Sequence, residues 1–267
     1  MNAIIDGLPE AEYRAMPGLS GTEVAKILDN PADLKWNRDN PREATASMSL
    51  GTLVHALVLG TDPHVTVSAF PDFRTKAARE WRDEAEASGL TVITRADLAT
   101  AEAMRDAVMG NPIARQLLEA PGHSEVTVTG EHRGAALKGR IDRLPSAGPV
   151  IDLKTARAVD PHAMSRFIAD YGTATQLAHY ALLADRADEA PIVIAVRNTG
   201  RPAVAVYRLA PVTWHVALEA TRRAWDIYAD CIETGIWPDP HADGINELEL
   251  ATWAMDALEG IDEMEVS

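Results

Sequence analysis

The chain has 267 residues, of which 46% are hydrophobic, and a formal net charge of −15. This length and apolar content favour one large α/β core with additions over two domains of equal size. The single cysteine, Cys231, excludes an internal disulfide and a cysteine-rich zinc site, and it is typical of a reducing cytoplasm. No basic leader precedes an apolar segment, and no apolar run reaches the roughly 18 residues of a membrane helix. We therefore expect a cytoplasmic protein with no membrane partner.

Phosphate binding depends on lysine and arginine, so the negative net charge argues at first sight against nucleic acid as a partner. The distribution of the charge along the chain weakens this argument. No lysine or arginine follows Arg223, whereas 12 of the 40 acidic residues lie between Asp226 and the end of the chain. The first 225 residues thus carry 25 basic against 28 acidic residues. A nearly neutral body with a local basic channel can bind DNA, and carboxylates gathered for a metal ion count as negative until the ion arrives.

Two helices are predicted in the first part of the chain. Residues 20–23, SGTE, have the spacing of a capping box and begin a short helix that we expect to end near residues 30 and 31. Residues 47–60 form a clearer helix with one apolar stripe. Gly51 and His55 lie four residues apart on the flank of that stripe, so Gly51 leaves room beside the imidazole for a strand or a ligand. Taken alone, such a histidine is more often a hydrogen-bonded residue at the edge of a core.

The densest basic cluster lies within residues 70–86 and consists of Arg74, Lys76, Arg79 and Arg82. This cluster could contact a phosphate backbone. The alternative is a solvated helical face, because acidic residues interleave with the cations and can pair with them at helical spacing. The following segment, residues 94–120, is predicted as helices capped by Thr94 and interrupted near residues 110–112.

From residue 124 the apolar period changes from helical to alternating, which predicts strands. Glu125 lies on the polar face of the first strand, where it is either a site residue or simply exposed. A turn leads to a second strand, residues 135–143, which places Arg140 and Asp142 on the same face as Lys138.

A third strand, residues 150–155, follows a turn rich in proline and glycine. Its alternation sends Asp152 and Lys154 to one face, opposite apolar neighbours. Burying Asp152 is costly unless a cation lies beside it, and a divalent ion shared with Asp142 would supply that charge. The alternative is an Asp/Lys ion pair beside a surface turn.

Further helices and a hairpin are predicted after this strand, at residues 160–170, 173–185, 192–209 and 211–232. Gln176 and Tyr180 share one flank of the second of these helices, and both could reach a site or a DNA phosphate with uncharged donors. Tyrosine is also common at core boundaries. Beyond residue 235 the chain is acidic and less regular, with one helical pattern at residues 248–258, so we divide it into a core (1–235) with an N-terminal helical part and an acidic C-terminal extension (236–267).

Four motifs occur together in the order GTLVH (51–55), GRID (139–142), IDLKT (151–155) and QLAHY (176–180). With these motifs the chain resembles the PD-(D/E)XK nucleases, and within them the RecE-like phage exonucleases of the exodeoxyribonuclease VIII type. The resemblance runs from about residue 18 to 253 and includes the Arg74 to Lys76 triplet. Each motif alone is a weak indication of this family, but all four in the same order and approximate spacing are a specific one.

The resemblance implies a restriction-endonuclease-like core, with a central mixed sheet flanked by helices. It implies that Asp142, Asp152, His55 and the Leu153 carbonyl ligate Mg²⁺ or Mn²⁺. Lys154 would orient the attacking water and offset charge in the transition state, with Glu125 as a further catalytic candidate. The predicted DNA contacts are Arg74, Lys76, Arg140, Gln176 and Tyr180. The middle acidic residue of the D/E-x-K motif is Asp152 rather than glutamate, which the family tolerates, and its shorter side chain leaves open whether one or two ions bind.

The activity that the resemblance implies is 5′→3′ digestion of linear duplex DNA, which leaves a 3′ single strand for recombination. Its implied partners are duplex DNA with free ends, a single-strand annealing protein, and further copies of the chain in a ring. Two other hypotheses are a catalytically silent DNA-binding or assembly protein and a structure-specific endonuclease. The presence of Asp142, Asp152 and Lys154 favours an active enzyme over a silent one, whereas the sequence does not separate exonuclease from endonuclease.

Overall fold

A seven-stranded mixed β-sheet forms the centre of the protein in a computed structural model, which describes residues 2–40, 50–61, 65–88, 90–240, 242, 244–252, 254, 255 and 258. The strands of this sheet are β1 (Ala3–Ile5), β2 (Leu19–Ser20), β5 (Gly122–His132), β6 (Ala135–Pro145), β7 (Ile151–Ala156), β8 (Ile192–Arg197) and β9 (Val204–Arg208). They lie in the order β1-β5-β6-β7-β8-β9, and β2 pairs with β6. A separate parallel pair consists of β3 (Val65–Val67) and β4 (Thr91–Ile93).

Helices cover both faces of the sheet: α1 (Glu10–Ala15), α2 (Val24–Asp29), α3 (Pro31–Asp39), α4 (Leu50–Leu59), α5 (Lys76–Ala87), α6 (Arg95–Gly110), α7 (Pro112–Glu119), α8 (Pro161–Asp170), α9 (Thr173–Leu183) and α10 (Pro211–Thr234). A short 3-10 helix, Gly21–Glu23, leads into α2. None of the helices in the described part of the chain combines the length and apolarity needed to cross a membrane.

The directions of the strands make the sheet mixed. β7 and β8 run parallel, and β2 is parallel to β6, whereas the other paired neighbours are antiparallel. Parallel strands cannot be joined by a tight turn, and the chain between β7 and β8 crosses over through α8 and α9. A mixed sheet flanked by helices confirms the predicted α/β fold class.

Two apolar cores lie on opposite faces of the sheet. On one face, Leu137 and Ile141 of β6 and Val193 of β8 are buried with side chains of α2, α9 and α10. On the other face, Leu153 of β7 and Ile194 of β8 are buried with side chains of α4 and α6. Because both faces of β7 are covered, its single carboxylate, Asp152, lies inside the protein, where it needs a compensating charge.

Local capping explains several helix boundaries. Thr94 caps α6 in a capping box with Asp97, as the sequence predicts for Thr94. The capping box predicted at residues 20–23 is also present, since Glu23 accepts from both the backbone and the hydroxyl of Ser20. It caps the short 3-10 helix rather than a longer α-helix.

The N-terminal part differs from the prediction in two ways. The predicted end of the first helix near residue 30 is confirmed, because α2 ends at Asp29. The prediction missed a second helix, α3, which Asn30 caps by accepting from Asp33 N and which has Pro31 in its first turn. Strands β1 and β2 and helix α1 were also not predicted, because elements of two to six residues are too short to show a period.

Two other predictions are corrected or lie partly outside the described residues. The turn between β5 and β6, which the sequence predicts around residues 130–134, is shorter, because the strands pair as far as His132 and Ala135. In the helical pattern predicted at residues 248–258, residues 248–251 are not helical and residues 252, 254, 255 and 258 are helical. Residues 253, 256 and 257 lie outside the described residues. Residues 47–49 of the predicted α4 region also lie outside them.

Candidate active site

The strands β6 and β7 separate where the predicted acidic residues lie. A single pair, Arg143 with Ile151, joins them, whereas β5 pairs with β6 along most of its length. On the same edge of β6, β2 pairs with residues 137 and 138. Residues 139–142 therefore have no strand partner on this edge within the described residues. We call the opening between β6 and β7 beside residues 139–142 the strand gap.

Asp142 fills the strand gap with its side chain. Its Oδ2 accepts a hydrogen bond from Leu153 N at 2.8 Å, in place of a bond between strands. The same oxygen lies 3.3 Å from His55 Nε2. Burial alone would raise the pKa of Asp142, but the charge of His55 and the hydrogen bonds outweigh it and hold the pKa below its usual value. Asp142 is thus a charged carboxylate inside the protein.

His55 reaches the same point from α4. Its Nε2 lies 2.6 Å from Leu153 O, and its Nδ1 lies 2.7 Å from Gly51 O. Because a carbonyl oxygen only accepts, both ring nitrogens carry a proton in this arrangement. Burial alone would lower the pKa of His55, but Asp142 outweighs it and raises the pKa to about 9. A metal ion bound at Nε2 has to replace this proton.

Asp152 and Lys154 form a buried ion pair on β7. Lys154 Nζ lies 3.0 Å from Asp152 Oδ1 and 2.9 Å from Oδ2, but Oδ2 receives no hydrogen bond. Burial and the charge of Asp142 raise the pKa of Asp152 to about 6 against the opposing effect of Lys154. For Lys154, burial alone would lower the pKa, but Asp152 and Asp142 outweigh it and raise the pKa. A buried carboxylate oxygen without a donor is the kind of atom that a cation stabilises.

Gln176 and Tyr180 extend this ion pair into α9. Gln176 Oε1 accepts from Lys154 Nζ at 3.4 Å, and Gln176 Nε2 donates to the Tyr180 hydroxyl at 3.0 Å. The Tyr180 ring lies in space left by two glycines, because a Cβ on Gly139 or Gly21 would come within 2.8 Å or 2.5 Å of ring carbons. The glycine of the GRID motif therefore admits the ring that holds Gln176 against Lys154.

We expect Gly139→Ala to destabilise the protein by about 1–3 kcal/mol, because the added methyl group overlaps the Tyr180 ring and forces it to move. Urea unfolding measures this change. Gly110→Ala is the matched control, because a Cβ at Gly110 meets no atom within 4 Å and alanine favours a helix over glycine. Equal unfolding free energies for the two variants would contradict the role assigned to Gly139.

Glu125 faces the strand gap from β5. In the strand register it stands opposite Asp142, between the pairs Ser124 with Arg143 and Val126 with Ile141. Its φ of +52° is a left-handed conformation that is uncommon for a residue other than glycine. Burial and the charge of Asp142 raise the pKa of Glu125 to about 7. Two carboxylates thus face each other across β5 and β6.

Arg140, a predicted DNA contact, is held by groups of the protein itself. Its Nε lies 3.2 Å from Glu125 Oε2, its Nη1 lies 2.7 Å from Glu10 Oε2, and its Nη2 donates to Leu8 O. The side chain is 16% exposed. A phosphate at Arg140 would therefore have to displace Glu10.

Arg74 and Lys76 lie on the surface, with 90% and 84% of their side chains exposed. Arg74 pairs with Asp72 at 3.6 Å and Lys76 with Glu80 at 3.5 Å. Neither residue lines the cavity at the strand gap. This arrangement agrees with the solvated-face alternative as well as with a remote DNA contact, so their DNA-binding role stays a prediction.

A cavity of about 920 Å³ opens over the strand gap. His55, Glu125, Asp142 and Lys154 line one side of it, whereas Asp152 and Gln176 are not lining residues. Its other side is a surface that we call the N-terminal wall, formed by Tyr13, Arg14, Glu23 and Arg38. His55, Glu125, Asp142 and Lys154 thus share one cavity that a substrate can enter from solvent, and Asp152 lies behind Lys154.

Sequence reasoning missed the N-terminal wall. Lys138 fixes it to the sheet, because its Nζ donates to the carbonyl oxygens of Tyr13, Arg14 and Met16 at the end of α1. Arg38 fixes it further by donating to Glu23 through two nitrogens. A lysine on the polar face of a strand was a signal for such a contact, but its acceptors are backbone atoms that no side-chain pattern predicts.

The residues at the strand gap fit a divalent metal ion. His55 Nε2 lies 2.6 Å from Leu153 O and 3.3 Å from Asp142 Oδ2. Neighbouring ligands of an octahedral ion that binds each of them at about 2.1 Å lie about 3 Å apart, which is close to these distances. Within the described residues, no three His, Cys, Asp or Glu side chains form a ready metal cage. In the arrangement present, Nε2 carries a proton and Asp152 is paired with Lys154. Oxygen donors with one histidine suit Mg²⁺ or Mn²⁺ better than zinc.

The sheet order, the split between β6 and β7, and the position of the acidic residues define a PD-(D/E)XK-type fold. A family model described as "PDDEXK-like domain of unknown function (DUF3799)" matches residues 28–248. The chain belongs to this family. Among curated proteins, none matches the chain significantly.

Two solved structures are similar to the chain. One is a candidate exonuclease from Eubacterium rectale, with a TM-score of 0.58, 12% sequence identity, and coverage of 94% of this chain and 98% of that one. The other is a phage-related exonuclease from Haemophilus somnus, with a TM-score of 0.35, 12% identity, and coverage of 84% and 100%. The first likeness supports the same fold. The second is too distant to carry an argument.

Proposed function

We propose that the protein is a metal-dependent exonuclease that hydrolyses phosphodiester bonds of linear duplex DNA in the 5′→3′ direction. The 5′→3′ digestion of linear DNA follows from the resemblance to the RecE-like exonucleases, and one observation supports the metal-dependent hydrolysis. Asp142, Asp152 and Lys154 meet at the strand gap of a PD-(D/E)XK-type sheet, beside a solvent-accessible cavity. The proposed ion is Mg²⁺, with Mn²⁺ as a substitute, and its ligands are Asp142, Asp152, His55 and the Leu153 carbonyl.

The bound ion, Lys154 and Gln176 have separate roles in the proposed hydrolysis. A divalent ion, when bound, lowers the pKa of a water molecule and neutralises charge on the phosphate. Lys154 keeps its proton, because Asp152 and Asp142 raise the pKa of its ammonium. It therefore acts as a fixed positive charge that orients water and stabilises the transition state, and not as a general base. Gln176 holds Nζ in place from α9.

The partners follow from the same proposal. The substrate is duplex DNA with free ends, and the product is a 3′ single strand for an annealing protein in recombination. Assembly into a ring would let a protein with a net charge of −15 bind DNA, because only the channel has to be positive. The acidic residues after 235 would then face away from the channel or contact the annealing partner.

The proposal is tested by incubating the full chain with linear and with covalently closed circular duplex, in Mg²⁺ and then in EDTA. We expect the linear DNA alone to be degraded, and EDTA to stop the reaction. A second assay with a label at the 5′ or the 3′ end reads the polarity, and early release of the 5′ label is expected. Cutting of closed circles would make the protein an endonuclease, and no cleavage of either DNA would make it a silent member of the fold.

A further inference from the structure

A second cavity adjoins the cavity at the strand gap. It has a volume of about 630 Å³, and two of its lining residues, Thr155 and Phe167, line the larger cavity as well. It lies where β7 ends, next to α8, and Arg157 follows the strand directly. Pockets that hold small ligands measure about 300–1,000 Å³, so this one has room for about one or two nucleotides. We call it the adjoining cavity.

The lining of the adjoining cavity is basic, although the chain as a whole is acidic. Arg157 and Arg166 are both exposed, and neither guanidinium has an ion pair or a hydrogen bond within the described part of the chain. His162 adds a third basic side chain, and Asp170 is the acidic lining residue. Two unpaired arginines on one cavity are available to phosphate groups.

An exposed aromatic platform stands at the same cavity. Phe167 lies on α8 and Tyr171 directly follows the helix as its C-cap, with ring centroids 4.6 Å apart and an angle of 41° between the rings. Phe167 packs against the main core, whereas Tyr171 is 71% exposed. The buried ring therefore supports an exposed ring at a defined position. Single exposed aromatic residues are ordinary, but this one lines a cavity together with two exposed arginines.

We propose that the adjoining cavity binds unpaired nucleotides of a DNA single strand next to the site of hydrolysis, a proposal that rests on the nuclease function proposed above. A base stacks on Tyr171, and Arg157 and Arg166 contact the neighbouring phosphates. Aromatic stacking combined with a positive groove is how proteins bind single strands without regard to sequence. Since the cavity adjoins the strand gap through Thr155, the bound strand is continuous with the strand that enters the catalytic centre.

The proposal is tested by measuring how tightly the full chain binds a fluorescent oligothymidylate of about 15 nucleotides. Fluorescence anisotropy reports the binding, and EDTA in the buffer prevents cleavage. We expect Tyr171→Ala to weaken binding about 5- to 150-fold, the range for loss of one base stack. Trp36→Ala is the matched control, because Trp36 is 59% exposed on α3 and lines neither cavity. Its affinity should equal that of the wild type.

The arginines are tested by the dependence of the same binding on salt. The double variant Arg157→Ala/Arg166→Ala should reduce the slope of log K against log salt by about 1.4, since each phosphate contact on a single strand contributes about 0.7. Arg222→Ala/Arg223→Ala is the control, because these exposed arginines of α10 line neither cavity. An unchanged slope in the first variant would overturn the role of the arginines.

The outcomes separate this inference from the nuclease function. Competition with relaxed, covalently closed duplex measures the affinity for duplex DNA, once the different affinities for the oligonucleotide are taken into account. We expect this duplex affinity to be the same for the wild type and for Tyr171→Ala. Equal weakening of duplex and single strand, no wild-type binding, or unchanged binding by Tyr171→Ala each overturns the inference, even if linear DNA is degraded. Tyr171-dependent binding by a chain that degrades no DNA would support the cavity and remove the nuclease proposal.

Discussion

Lys154→Ala is expected to lower turnover about 10²–10³-fold, the usual effect of removing one group that stabilises transition-state charge. DNA binding should remain, because the other residues that line the cavity are unchanged. The metal-free variant should also unfold more easily, since Asp152, only 2% exposed, loses its ion-pair partner. Added Mg²⁺ should restore part of this stability, because an ion at Asp152 replaces the missing positive charge.

Single-turnover digestion of end-labelled linear duplex measures the rate of Lys154→Ala, and thermal unfolding with and without Mg²⁺ measures its stability. Lys26→Ala is the matched control, because Lys26 is an exposed lysine of α2 that does not line the cavity. A Lys154→Ala enzyme that degrades DNA at nearly the wild-type rate would show that the role assigned to Lys154 is wrong.

Asp152→Asn is expected to lose both activity and the stabilisation by Mg²⁺. A bound ion supplies several kcal/mol of charge stabilisation, which corresponds to a loss of about 10³-fold or more in rate. The amide keeps the size of the carboxylate but removes its charge. His55→Ala should weaken metal binding less than Asp152→Asn, because it removes a neutral ligand and leaves both carboxylates in place.

Isothermal titration with Mg²⁺ or Mn²⁺ separates these effects, with the rate measured in parallel. Asp188→Asn is the matched control, because Asp188 is exposed and does not line the cavity at the strand gap. If Asp152→Asn bound the ion as tightly as the wild type, Asp152 could not be a ligand, and Glu125 would become the carboxylate to test next with Asp142.

The strands and the longer helices were predictable because their apolar periods are long enough to read. The alternation along β6 placed Leu137 and Ile141 in the core and Asp142 on the opposite face, and the capping pattern at Thr94 placed the start of α6. Asn30 shows the limit of such signals. An asparagine before a proline is compatible with the end of one helix and with the N-cap of a new one. Asn30 does both, and whether the second helix forms depends on its packing against the rest of the fold.

The site was predictable as a set of residues and not as an arrangement. The motifs brought His55, Asp142, Asp152 and Lys154 together, and these residues do meet at the strand gap. Alternation alone could not show that β6 and β7 separate, because it assigns side chains to faces of a strand and does not say where two strands stop pairing. Nor could it show that Glu125 adopts a positive φ, at the position where the pairing of β5 with β6 is interrupted.

The shared edge of β6 also governs the order in which the protein becomes functional during folding. The β5–β6 hairpin joins neighbouring segments of the chain and can form early, but β2 brings residues 19 and 20 to residues 137 and 138. Contacts between such distant segments form slowly, because the intervening chain loses conformational entropy first. A chain that has formed its hairpin but has not yet docked its N-terminus has no complete cavity. The cavity at the strand gap is therefore completed only when the N-terminal segment docks, and not when the hairpin forms.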